Sequence, residues 1–173
     1  MTLGYSGTIS PCLWFDDQLE QAATFYTGIF PNSSLGHLAR YPDVDGQPGA
    51  VMAGEFVLDG LTFRAINGGP QFRFTEAISF SISCRDQVET DYYWDSLVDG
   101  GTASQCGWLQ DRFGLSWQIV PTRLYELVSD PDPARAQAAT QAMLQMSRIV
   151  VADLEAAADA VTIDTRAGAL GRD

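Results

Sequence analysis

Short hydrophobic runs and the polar gaps between them follow one order over the first 70 residues, and the next 50 repeat it. Ile9 to Phe15 reads as a strand. Asp17 then opens a helical stretch ending near Phe30, in which Ala22, Phe25, Tyr26 and Ile29 fall on one face. Glu20, three residues after Asp17, makes a capping-box pattern, and Pro31 stops the helix. Strands are predicted at about Ser34 to Tyr41, Val51 to Leu58 and Leu61 to Asn67. A turn-rich loop, Pro42 to Gly49, and a hairpin at Asp59-Gly60 separate them. The second round places a strand at Ile78 to Cys84 and a helix from Asp86 to Val98, ended by Gly100-Gly101. Strands near Thr102 to Gln110 and Leu115 to Val120 follow, joined by Asp111-Arg112-Phe113-Gly114, and Pro121 breaks the last.

The residues themselves repeat as well as the pattern. Asp17-Gln18-Leu19-Glu20 returns 69 positions later as Asp86-Gln87-Val88-Glu89. At the same offset Ile9 meets Ile78, Ser10 meets Ser79, Leu13 meets Ile82, and Phe25 meets Trp94. Gly60-Leu61-Thr62-Phe63 becomes Gly114-Leu115-Ser116-Trp117 at an offset of 54. One β-α-β-β-β unit has been duplicated, which sets the fold class as α+β. A single domain over residues 1–173 is expected, with unit one at 8–70, unit two at 76–121 and a helical tail at 122–161. The tail reads as two helices, near Ala134 to Met146 and Ala152 to Ala160. Their modest apolar faces (Ala139, Met143, Met146, Leu154, Ala158) fit packing on an outer face or at a subunit contact. The small, polar end at 162–173 is expected to fray.

Composition narrows the function classes. With 173 residues and 46% hydrophobic content the chain suffices for one well-cored domain. No apolar run approaches the ~20 residues of a membrane span, and no signal-peptide pattern opens the sequence. Cys12, Cys84 and Cys106 are odd in number and lack metal-ligand spacing, which fits a reducing cytoplasm. A net charge of -12 with ten basic residues argues against nucleic acid, whose phosphates need clustered Lys and Arg. The Asn67-Gly68-Gly69-Pro70 loop is not followed by a helix that could make it a phosphate cradle. No strand-loop-helix glycine triplet is present, so no conventional S-adenosylmethionine or NAD site is expected.

Several segments carry a family resemblance: Asn67-Gly68-Gly69-Pro70, Ser79-Phe80-Ser81-Ile82-Ser83-Cys84, Tyr93-Trp94, Cys106-Gly107-Trp108-Leu109 and, most specifically, Asp111 through Pro121. With the duplicated unit, they resemble the vicinal oxygen chelate superfamily of glyoxalases, extradiol dioxygenases and bleomycin-resistance proteins. Within it they are similar to the PhnB-like, or 3-demethylubiquinone 3-methyltransferase-like, branch. The resemblance implies a curved mixed sheet with an open cleft for a small organic ligand, and a homodimer. It implies metal positions at Ser10, Arg64, Ser79 and Gln118. Divalent metals need imidazole, carboxylate or thiolate donors, and Arg has no lone pair to offer. No metal or other cofactor is therefore expected. The only histidine, His37, stands apart on an inner strand.

Strand alternation sorts what would line such a cleft instead. Ile78, Phe80 and Ile82 should face the helices, leaving Ser79, Ser81 and Ser83 for the cleft with Ser10, Cys12 and Trp14. Phe63, Ala65, Trp117 and Ile119 go under the helices, and Arg64, Ile66, Gln118 and Val120 go into the cleft. Trp108 is either cleft wall or packing. Candidate ligand-binding residues are thus Ser10, Cys12, Trp14, Arg64, Ser79, Ser81, Trp108 and Gln118. Arg64 could clamp a carboxylate or phosphate, or could pair with a buried Glu55 or Asp59. Cys106 beside Trp108 is the better of the thiols for reactivity. These residues leave open a metal-free reaction, non-catalytic binding of a metabolite or drug as in the bleomycin-resistance proteins, and a metal-dependent lyase or dioxygenase.

Overall fold

The computed structural model of the chain describes residues 9–43 and 49–170, with side chains as far as Val161. Most of the predicted Pro42 to Gly49 loop lies outside the described residues. The chain divides into two compact units, Met1–Phe74 and Thr75–Asp173.

Unit one consists of β1 (Cys12–Phe15), α1 (Leu19–Ile29), β2 (Ser34–Arg40), β3 (Val51–Leu58) and β4 (Leu61–Asn67), with strand order β1-β4-β3-β2. The β1–β4 pair is parallel and the others antiparallel. Unit two repeats the plan with β5 (Ser79–Cys84), α2 (Gln87–Val98), β6 (Thr102–Ala103), β7 (Trp108–Gln110) and β8 (Ser116–Pro121), in the order β5-β8-β7-β6. Register preserves the sequence offsets. Cys12 lies opposite Arg64 in unit one, and Ser81 opposite Gln118 in unit two. The expected duplicated α+β architecture is therefore present, as two four-stranded mixed sheets.

Alternation builds each core. In unit one Leu13, Phe15, Phe56, Leu58, Phe63 and Ala65 are buried on the α1 side, against Leu19, Ala22, Ala23 and Tyr26. Phe25 and Ile29, predicted for that stripe, are only half-buried, because Leu19 and Ala23 turn inward instead. In unit two Trp94, Leu97, Leu109, Trp117 and Ile119 are buried. Ile78, predicted to face the helices, instead precedes β5 and is exposed.

The repeated tetrapeptides end up in different roles. Asp86 caps α2 by accepting the Glu89 N–H at 2.9 Å, and Glu89 accepts the Arg85 N–H at 2.6 Å. Asp17 does not cap α1, whose N-cap is Gln18 without a side-chain bond. Asn67 substitutes from β4: its Oδ1 accepts the Leu19 N–H at 3.0 Å, and its Nδ2 donates to the Asp17 and Val51 carbonyls.

The tail differs from its predicted form. It has three helices, α3 (Thr122–Val128), α4 (Pro133–Met143) and α5 (Val151–Leu170). The last continues through most of the stretch expected to fray. Leu124, Leu127, Ala139, Ile149, Leu154 and Ala158 form one buried cluster, which also takes in Val120 of β8.

Candidate functional site

The face of the first sheet away from α1 carries a candidate site. Period-two alternation puts Cys12 and Trp14 of β1, Arg64 and Ile66 of β4, and Ala53 and Glu55 of β3 on that side. Cys12 and Arg64 are exposed, and the other four are half-buried. An open cavity of about 440 Å³ lies there, bounded by Cys12, His37, Ala39, Ala53, Glu55, Arg64 and Ile66. Ala39, Ala53 and Ile66 give it an apolar patch, and polar groups approach from all four strands.

Arg64 and Glu55 are cross-strand partners, and the guanidinium Nε donates to Glu55 Oε1 at 3.0 Å. The ion pair foreseen as one option is thus formed, but its carboxylate is not buried. Side-chain exposures are 51% for Arg64 and 37% for Glu55. Such a pair contributes ~0.2–1 kcal/mol, so it marks the cavity wall more than it holds the fold. His37, set aside from the sequence, borders the cavity, because β2 pairs with β3 and brings its outward residues to the same face.

Trp14 is placed differently from a bare cavity wall. Its Nε1 donates to the Gly69 carbonyl at 2.8 Å, and Phe72 packs edge-on against its ring. It thereby anchors the Gly68–Gly69 turn. Ser10 lies just ahead of β1 and is half-buried.

The remaining candidates belong to unit two. Gln118 Nε2 donates to Ser79 Oγ at 2.8 Å, Ser81 is exposed opposite Gln118, and Trp108 is half-buried on the other side of Gln118. Val120, predicted to line the cleft, is only 5% exposed and packs into the tail cluster. The alternation was right, but the tail covers that end of β8.

The thiols separate by environment. Cys12 is exposed at the cavity, Cys106 is half-buried, and Cys84 is buried, which pushes its pKa up to about 11. Cys84 is a protonated packing residue at neutral pH.

The metal positions implied by resemblance do not fit a divalent ion. Arg64 is committed to Glu55, and the Gln118 amide is engaged with the Ser79 hydroxyl. Among the described residues no three His, Cys, Asp or Glu side chains gather as a ligand set.

A family model described as 3-demethylubiquinone-9 3-methyltransferase matches residues 7–120. The chain belongs to that family. The PhnB protein from Bacillus cereus is 29% identical, with a TM-score of 0.61 over 67% of this chain and 100% of its own. A Pseudomonas aeruginosa protein shares the fold at 19% identity, with a TM-score of 0.55 over 67% of this chain and 98% of its own. No functionally curated protein matches significantly. No helix among the described residues is long and apolar enough to cross a membrane.

Proposed function

We propose that this PhnB-like family member binds a small polar organic molecule in the unit-one cavity, without a metal. The observation that carries the reading is the cavity itself. Its size falls in the range of small-ligand pockets, and a few polar groups converge over an apolar patch. Glu55 and Arg64 present an acceptor and donors side by side, suited to a ligand bearing both kinds of group. Ser10 and Trp14 of unit one complete the proposed set, and the unit-two candidates Ser79, Ser81, Trp108 and Gln118 stand outside it. The reading includes a cytoplasmic homodimer, in keeping with family habit and with three free thiols.

A specific observation favours a second reading, a non-catalytic binder of cations. Glu55 lies at the cavity, and the chain's net charge is -12. Two variants separate the readings in titrations against fluorinated benzoates and benzylamines. Arg64→Ala should weaken benzoate binding roughly tenfold, the worth of one half-exposed charge-assisted bond. Its melting temperature should stay near wild type, because an exposed pair is worth at most ~1 kcal/mol. Glu55→Ala should instead weaken the benzylamines if the ligand is a cation. Unchanged affinity for both probe classes in both variants would remove the cavity from the account.

A further inference from the structure

We infer that in unit two the tail takes the ground that β2 and the cavity hold in unit one, so that the described residues of unit two hold no counterpart of that cavity. The inference rests on the proposed unit-one site, and its support is a position-by-position correspondence. Phe56 and Val57 of β3 pair with Leu35 and Ser34 of β2, as Leu109 and Gln110 of β7 pair with Ala103 and Thr102 of β6. β2 then continues, setting Leu38 opposite Gly54 and Ala39 opposite Ala53. β6 stops after two residues.

The positions matching Gly54 and Ala53 are Gly107 and Cys106, and the tail meets both. Cys106 N–H donates to the Met146 carbonyl at 2.7 Å, and Gly107 N–H to the Ser147 carbonyl at 2.8 Å. The glycines record the exchange. A Cβ on Gly54 would meet Leu38 of β2, whereas one on Gly107 would meet the Ile119 carbonyl of β8 and, next to it, Ile149 of the tail. Likewise Ile66 borders the cavity, while its counterpart Val120 is buried with Leu124, Leu127, Ile149 and Leu154.

The tail is held there by more than apolar contact. Gln87 of α2 donates to the Ile149 carbonyl at 3.1 Å and accepts the Val151 N–H at 2.8 Å. Arg148 reaches Asp91 and Asp95 and lies over the Trp94 ring. The tail also lies beyond residues 7–120, the part matched by the family model. An added segment has thus completed a shortened sheet edge and covered the face beside it.

Amide hydrogen exchange on the full chain tests the docking. Cys106 and Gly107 amides should be protected in the wild type. They should exchange roughly a hundredfold faster in Leu154→Asp, while Ala65 in unit one is unaffected. Ile149→Ala serves if Leu154→Asp fails to fold. Unprotected amides in the wild type, or protection unchanged in both variants, would overturn the inference. Fluorine NMR with the same benzoates and benzylamines then counts sites. Ala53→Trp, or Cys12→Trp if that variant fails to fold, should abolish all binding. Binding that survives there and disappears in Ser81→Trp would place a site in unit two and also overturn it. A wild type that binds no probe would sink the proposed function, with the exchange result alone deciding the tail's role.

Discussion

Asp111→Ala should destabilise the protein by about 4 kcal/mol, near the upper end for a single substitution. Asp111 is 3% exposed, and its carboxylate accepts three N–H groups. Oδ1 takes the backbone N–H of Phe113 at 2.8 Å and of Leu115 at 3.1 Å, and Oδ2 takes the Trp117 indole N–H at 2.8 Å. Around it the main chain closes a turn: Asp111 N–H donates to Leu115, and Gly114 N–H to Asp111, with Gly114 at φ +83°. Bonds to a charged acceptor contribute ~1.5–3 kcal/mol each, and donors stranded without one bear a further penalty. Non-additivity within one network keeps the total below their sum. Asp111→Asn should recover only part, because one of its two acceptor atoms becomes a donor. Thermal melts should show a fall of roughly 10 °C for Ala at this chain length. A fall under about 3 °C would mean that the carboxylate does not hold the β7–β8 connection.

Gly68→Ala should destabilise by about 2 kcal/mol, within the range that overpacking costs. A Cβ there would sit 2.3, 2.4 and 2.6 Å from three atoms of the Trp14 ring. That ring cannot simply move aside. Its N–H is bonded to Gly69, and Phe72 lies 5.0 Å away, centroid to centroid. Relief therefore breaks the indole bond or shifts the turn. A melting temperature a few degrees lower, with a changed tryptophan emission maximum, is expected. Unchanged values for both would contradict the close approach of ring and turn.

Period-two alternation and the internal repeat made most of the fold legible in the sequence. Alternation depends only on local backbone geometry, so the sides taken by Cys12, Arg64, Phe63 and Ala65 were readable. In-register echoes carried the pairing of Cys12 with Arg64 and of Ser81 with Gln118. What was not legible depends on distant partners. Asp17 and Asp86 stand in nearly identical tetrapeptides, yet only Asp86 caps its helix, because Asn67 reaches Leu19 from 48 positions away. Val120 has the right parity for an open face and is covered by residues such as Leu154 that follow it in the chain. The turn at Asp111 to Gly114 could be read from its residue types. The inward aim of the carboxylate could not, since it depends on where the Trp117 indole lies. For the candidate site, Cys12 and Arg64 were found from the sequence. His37 and Glu55 join them at the cavity through β2–β3 and β3–β4 pairing.

Amide chemical-shift mapping of the full-length protein with the fluorinated benzoates and benzylamines tests the central claim most directly. The expected result is a saturable set of changes on Cys12, His37, Glu55, Arg64 and Ile66, lost in Ala53→Trp. Changes confined to Ser79, Ser81, Trp108 and Gln118, or no change at any probe concentration, would contradict a small-molecule site on the first sheet.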